Sequence, residues 1–147
     1  MKRNNIVDKI QERDLKQLWE IDREVLNNKA EYEEIEKNYK ELKENKDIYA
    51  LGYYIEDNLV GAMMLYIITL PSGREATIWD LAVKEECRRM GIATKLMNKA
   101  EEIARSYDDI SRIWLFSGFH RTGAHELYRK LEYDENRDKA FIKVIKK

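Results

Sequence analysis

The sequence has little of what staples, threads or decorates a chain. It has a single cysteine, Cys87, so an internal disulfide is excluded and a reducing compartment is expected. Cys87 and the two histidines, His120 and His125, are too few to argue for a metal centre. No apolar run is long enough to cross a bilayer; the longest, Leu59 to Leu70, has the length and composition of a strand. The chain is charged from Lys2 and lacks the apolar core of a signal peptide, so a cytoplasmic protein with no membrane partner is expected. A net charge of −1 gives no electrostatic reason to expect nucleic acid. Internal repeats and low-complexity tracts are lacking, as are both common phosphate motifs, G-x-x-x-x-G-K-[ST] and G-x-G-x-x-G.

What is present suits one globular domain spanning residues 1–147. The length is 147 residues, with 44% apolar residues for a core and 37% charged residues for a hydrated surface. Ile6 to Ile10 reads as a short first strand, and Asp14 to Asp22 as a helix with Leu15, Leu18, Trp19 and Ile21 on or near one face. A second helix is expected from about Ala30 to Lys46, its narrow stripe formed by Tyr32, Ile35, Tyr39 and Leu42. Its outer face carries Glu31, Glu33, Glu34, Glu36, Glu41 and Glu44, a solvated surface or an acidic rim for a cationic acceptor.

The period then changes. Ile48 to Ile55 and Leu59 to Leu70 read as strands joined by the turn Glu56-Asp57-Asn58. Gly61 marks a bulge or a close backbone approach. The sole proline falls in the turn Pro71-Ser72-Gly73, where proline fixes φ and glycine permits φ > 0. A third strand follows, so the three form an antiparallel meander. Further on, Arg112 to Phe116 reads as a strand, and Thr122 as the cap of a helix running to about Leu131. Phe141 to Ile145 reads as a terminal strand whose edge is available to a second subunit in a homodimer. The strand-helix-strand passage from Thr77 to Phe116 predicts a parallel pair.

The most informative stretch runs from Glu75 to Arg105. Ala76-Thr-Ile-Trp-Asp-Leu-Ala-Val83 is a buried strand by composition. A charged loop holds Arg88 and Arg89, and Gly91-Ile92-Ala93-Thr94 opens a helix with Ile92, Leu96, Met97, Ala100, Ile103 and Ala104 at helical spacing. The first turn of a helix has N–H groups with no partner inside the helix, and its dipole attracts anions. Gly91 and Ala93 let a ligand approach the backbone, and either arginine offers a phosphate a two-pronged grip. The expectation is a pyrophosphate cradle.

The spelling Arg88-x-x-Gly91-x-Ala93, preceded by Ile78-x-Asp80-Leu-Ala-Val83, resembles the signature of the GCN5-related N-acetyltransferase (GNAT) family. Downstream, Ala124, Tyr128 and Tyr133 match that family's Asn-x-x-Ala-x-x-x-Tyr-x-x-x-Gly-Phe/Tyr pattern. Arg121 and Glu132 depart from it at the asparagine and glycine positions, which puts in question the asparagine's coenzyme contacts and the shape of the turn out of the helix. The resemblance implies a mixed α/β fold: a central, mostly antiparallel twisted sheet of six to seven strands with a parallel pair between the fourth and fifth, flanked by about four helices.

It also implies acetyl transfer from acetyl-CoA, as co-substrate, to a primary amine. In such a fold, Leu81 and Val83 would pair with the pantetheine arm. The amides of Arg88, Arg89, Met90, Gly91, Ile92, Ala93 and Thr94 would hold the pyrophosphate, with Arg121 and Ala124 as further coenzyme contacts. An N–H near Leu81 would meet the oxyanion, and Tyr128 would be the general acid for the thiolate, since a phenol can share a proton with a thiol. Many members carry a glutamate base where this chain has Thr77, which cannot serve. Glu75, on the same face by strand alternation, would act through a water, or the amine would lose its proton to solvent. Alternation sends Asp80 to the opposite face. His120, in a loop, and His125, three residues before Tyr128, are further titratable neighbours. The acceptor is expected to be a small-molecule amine. The alternatives are a protein N-terminus or lysine and, in another class, a non-catalytic acyl-CoA-binding module.

Overall fold

The computed structural model describes residues 2–146. Five strands form one sheet in sequence order: β1 (Ile6–Lys9), β2 (Ile48–Ile55), β3 (Asn58–Leu70), β4 (Gly73–Val83) and β5 (Ile110–Leu115). The first three pairings are antiparallel, and β4 and β5 are parallel. The helices are α1 (Leu15–Leu26), α2 (Tyr32–Leu42), α3 (Ile92–Arg105) and α4 (Thr122–Lys130). Among the described residues, no helix is long and apolar enough to cross a membrane.

Strand alternation divides the core in two. On one face Leu51, Tyr53, Met63, Leu65, Ile67, Ala76 and Ile78 pack with Ile92, Leu96, Met97 and Ala100 of α3. On the other, Tyr54, Leu59, Ala62 and Ala82 pack with Leu15 and Ile21 of α1, and α2 adds its half-buried stripe of Tyr32, Ile35 and Tyr39. The chain start is tied to this second face. Arg3 grips Asp14 with two hydrogen bonds of 2.8 Å, and Tyr54 donates to the same carboxylate at 2.8 Å.

Gly61 serves both of its expected purposes. The β2–β3 register slips beside it, between Tyr53↔Gly61 and Tyr54↔Leu59. A Cβ on Gly61 would lie 2.9 Å from Ile92 Cγ2, so the first turn of α3 rests directly on the β3 backbone. That contact fixes where the helix begins.

The structure corrects four sequence expectations. The sheet has five strands among the described residues, not six to seven, because Phe141–Ile145 is unpaired. Its order, Phe-Ile-Lys-Val-Ile, places apolar residues on both faces, so no register buries one side and wets the other. Phe141 and Ile145 are 89% and 82% exposed. Helix α1 runs one turn past Asp22 to Leu26 and stops at Asn27, which takes the left-handed conformation with φ 55°. Helix α2 is shorter than expected at both ends. Thr122 is the first residue of α4 rather than its cap; Arg121 takes the cap position with no side-chain cap bond.

The exit of α4 keeps its shape despite the missing glycine. Glu132 has φ 68°, its N–H donates to Arg129 O, and the Tyr133 N–H donates to Tyr128 O, the paired bonds of a Schellman ending. A side chain in this conformation costs about 1 kcal/mol. Glu132→Gly is therefore expected to stabilise the protein by up to about 1 kcal/mol, less whatever glycine's unfolded-state entropy offsets, and to raise Tm by a few degrees in a thermal melt.

Candidate active site

The loop between β4 and α3 has the backbone shape expected of an anion cradle. Gly91, at the helix cap, has φ 75°, and Arg89 before it has φ 65°. Left-handed residues at this point turn successive N–H groups toward a common concavity. Among the described residues, no acceptor takes the N–H of Arg89, Met90, Gly91, Ile92, Ala93 or Thr94, and the first helical bond is Lys95 N–H to Gly91 O at 3.1 Å. The Arg88 amide, expected in this set, is instead bonded to Glu85 O at 3.2 Å. The cavity, about 340 Å³, is lined on the loop side by Arg88, Arg89, Gly91 and Thr94 and on the α4 side by Gly123, Leu127 and Lys130. Glu126 is its one acidic neighbour beyond the loop. Both arginines are exposed and, among the described residues, make no ion pair.

A fork leads from this cradle into the sheet. The β4–β5 ladder stops at Ile78↔Leu115, while β4 runs on to Val83 paired only with β3. The edge of β4 from Trp79 to Val83 that faces away from β3 is therefore open to another extended chain. Leu81 and Val83 are half-buried on this stretch, and Val83 also lines the cradle.

At the start of the fork the strand departs from alternation. Met64 pairs with Trp79 but Ala62 pairs with Ala82, so Asp80 and Leu81 together oppose Met63. Asp80 has φ 56°, in the left-handed region that such a bulge requires. The bulge overturns the expected orientation of Asp80: it lies on the same face as Thr77 and Trp79. Those three residues, with Tyr66 and Ile68, line a second cavity of about 360 Å³. Thr77 is 1% exposed, and its Oγ1 has no hydrogen-bond partner. Behind this face Asp22 of α1 is 6% exposed, and its Oδ1 is also without a partner. Burial, and then the nearby Asp80 charge, push the Asp22 carboxyl up to about 7. Burial also raises Asp80, against the pull of Arg121.

Tyr128 is half-buried on α4 against the α3-side core, with its ring 6.2 Å from that of Tyr133. Its hydroxyl has no hydrogen-bond partner among the described residues. Burial raises its pKa, and the Arg121 charge pulls the other way. The Arg121 charge thus acts on both the β4 carboxylate and the α4 phenol.

Glu75 is differently placed. Its Oε1 accepts from Trp114 Nε1 at 2.9 Å and its Oε2 from Arg112 Nε at 3.1 Å, so it ties β4 to β5. His125 Nε2 lies 3.1 Å from Ser117 Oγ, and His120 is exposed in the loop before α4.

These features converge with a comparison of the sequence against known families. The Acetyltransferase (GNAT) family matches residues 13–133. The chain belongs to this family. As a GNAT protein it is an acyltransferase, and the family uses acetyl-CoA. No curated protein sequence matches it. Solved structures share the fold at low identity. A transcriptional regulator from Bacillus halodurans C-125 is 18% identical with a TM-score of 0.86, over 95% of this chain and 99% of that one. The aminoglycoside acetyltransferase meta-AAC0020 from an uncultured soil metagenomic sample, in complex with trehalose, is 20% identical with a TM-score of 0.78, over 96% of each chain. Arabidopsis thaliana NAA60 in complex with a bisubstrate analogue is 20% identical with a TM-score of 0.77, over 90% of this chain and 86% of that one.

Within this GNAT fold the residues singled out by sequence fall into groups. Arg88, Arg89, Gly91, Ile92, Ala93, Thr94 and Val83 meet in the cradle, whereas the exposed Met90 offers only its amide. Arg121 sits at the start of α4, and Ala124 is half-buried one residue beyond Gly123. Sequence reasoning missed Gly123, Glu126, Leu127 and Lys130 as cradle residues, although their spacing of three, one and three marks one helix face. It also missed the cavity face of Tyr66, Ile68 and Trp79 and the buried Asp22, which no local pattern announces.

Proposed function

We propose that this GNAT protein transfers an acetyl group from acetyl-CoA to the primary amine of a small molecule, by direct attack, with Tyr128 as general acid. One observation carries this reading. The open β4 edge from Trp79 to Val83 runs from the cavity holding Asp80 to the cradle of six free amides, a continuous track for an extended thioester ending in a diphosphate.

The amides of Arg89 to Thr94 would hold the diphosphate, aided by the unpaired arginines and Lys130. The β4 edge at Leu81 and Val83 would bond the pantetheine arm as a further strand does, and an N–H near Leu81 would meet the charge developing on the thioester oxygen. In the reaction the amine nitrogen forms a bond to the carbonyl carbon, the carbon–sulfur bond breaks, and the ammonium loses two protons overall. One proton passes to a base and then to solvent; the other ends on sulfur. Tyr128 supplies the sulfur's proton and regains one from the nitrogen side. Burial raises the phenol and keeps it protonated through neutral pH, ready to donate to the leaving sulfur, while the Arg121 charge pulls the other way. Both oxygens of Glu75 already accept bonds from β5, so a base role through a water would have to share a carboxylate engaged in holding the sheet.

The small-molecule acceptor draws support from the aminoglycoside acetyltransferases among the similar folds. Thiol release from acetyl-CoA, measured over a panel of primary amines, tests the reading. Amine-dependent release supports it. Tight coenzyme binding with no amine-dependent release points instead to an acyl-CoA-binding module.

A further inference from the structure

The cavity at the bulge combines features that folding alone does not explain. Asp80 occupies a left-handed conformation that costs a side chain about 1 kcal/mol, and the bulge brings its carboxyl into the cavity. Thr77 lines the same cavity with a buried Oγ1 lacking any hydrogen-bond partner. Asp22 adds a second carboxylate, this one buried and with an unpartnered oxygen, close enough for the charge of the exposed Asp80 to act on it. Unsatisfied buried polar atoms are rare, and each costs roughly 1–3 kcal/mol. Two beside one strained carboxylate mark a site built for a ligand that supplies donors and positive charge. The remaining wall, Tyr66, Ile68 and Trp79, is aromatic and apolar. Trp79 is 42% exposed and packs edge-on against Phe116 at 5.7 Å, which leaves part of the indole for a guest.

We propose that this cavity binds the acceptor as its ammonium ion, with Asp80 as the carboxylate that meets the nitrogen, Asp22 as the positioning carboxylate behind it and Thr77 Oγ1 as a hydrogen-bond partner. The acceptor class that follows is a primary ammonium on a compact apolar or aromatic body. The ammonium donates to Asp80, and the body lies along Trp79 and Tyr66, where cation–π attraction adds to apolar contact. Asp80 then receives one proton as the nitrogen is freed to attack, returning it to solvent. The groups facing Asp80 are Asp22 from α1, Tyr66 from β3 and Arg121 from the start of α4. Above about pH 7, where Asp22 is ionised, it offsets the neutralising effect of Arg121 and the cavity keeps its attraction for a cation. This deepens the acyl-transfer reading, and rests on it for the identity of the bound amine as acceptor.

Calorimetric titration of the full chain without coenzyme tests it. The probes are 2-phenylethylammonium and its uncharged counterpart 2-phenylethanol, with coenzyme A titrated separately. The wild type is expected to bind the ammonium at least about tenfold more tightly than the alcohol. Asp80→Asn and Asp80→Gly should both abolish that preference; the glycine variant keeps the backbone conformation and so separates loss of charge from loss of fold. Asp22→Asn should reduce the preference about threefold or more while coenzyme A affinity stays unchanged, a pattern that a purely structural role would not produce. Equal affinity for the two probes in the wild type overturns the inference, as does an undiminished preference in either Asp80 variant. The acyl-transfer reading fails separately, if coenzyme A does not bind.

Discussion

Tyr128→Phe is expected to lower kcat about 100-fold, the lower end of what a positioned general acid contributes, while leaving KM for acetyl-CoA nearly unchanged. The phenol is half-buried, its hydroxyl has no hydrogen-bond partner among the described residues, and burial holds it protonated. The ring remains in the variant, so packing against Tyr133 is kept. Burial raises the phenol above its ordinary value of 10, so it should stay protonated and the deficit of the variant should hold at every pH up to 10. Steady-state kinetics from pH 6 to 10 read both effects. A kcat unchanged across that range would remove Tyr128 from the proton path.

The second large effect concerns stability. Asp22 has its folded pKa raised to about 7 from an ordinary carboxylate value of 3.8. The folded protein therefore holds this proton more tightly than the unfolded chain does. The stability it confers is fully present below about pH 4 and is lost as pH rises through about 7. Three pH units correspond to roughly 4 kcal/mol. Asp22→Asn removes the ionisation and should melt on the order of 10 °C above the wild type at pH 8.5, with little difference below pH 4. Thermal melts at the two pH values decide this. A variant that gains equally at both would show that removal of charge is not the cause. A site that stabilises when disarmed fits a carboxylate retained for binding.

The parts of this fold that depend on local chemistry were legible in the sequence. The meander from Ile48 to Val83 follows from alternating apolar residues and from turns at Asp57 and Gly73, both at positive φ. The cradle was legible because Gly91, the apolar period of α3 and the two arginines lie within a few residues of one another. The resemblance of Ile78 to Ala93 to the GNAT signature supplied the rest. The bulge was not legible. One extra residue at Asp80 and Leu81 reverses the alternation, and nothing in Trp-Asp-Leu-Ala signals it, since aspartate tolerates left-handed φ without requiring it. That reversal moved the candidate proton acceptor from Glu75, which is engaged by Arg112 and Trp114, to Asp80.

Other features depend on distant contacts. Asp22 reads as the last turn of an amphipathic helix; only the packing of α1 on β3 and β4 reveals a buried carboxylate. The turn after α4 keeps its left-handed residue as Glu132, where composition suggested a different shape. The Phe141–Ile145 segment has strand-forming residues but no pattern that selects a buried side, and it lies unpaired.

The central claim is that the main chain from Arg89 to Thr94 presents its free amides to a diphosphate. A backbone amide NMR titration tests it most directly, comparing coenzyme A with pantetheine, which has the arm but no diphosphate. The amides of Gly91, Ile92, Ala93 and Thr94 are expected to show the largest shifts with coenzyme A and almost none with pantetheine, while Leu81 and Val83 move with both. If those four amides stay still while coenzyme A binds, or move equally with pantetheine, the loop does not hold the diphosphate and the account is wrong.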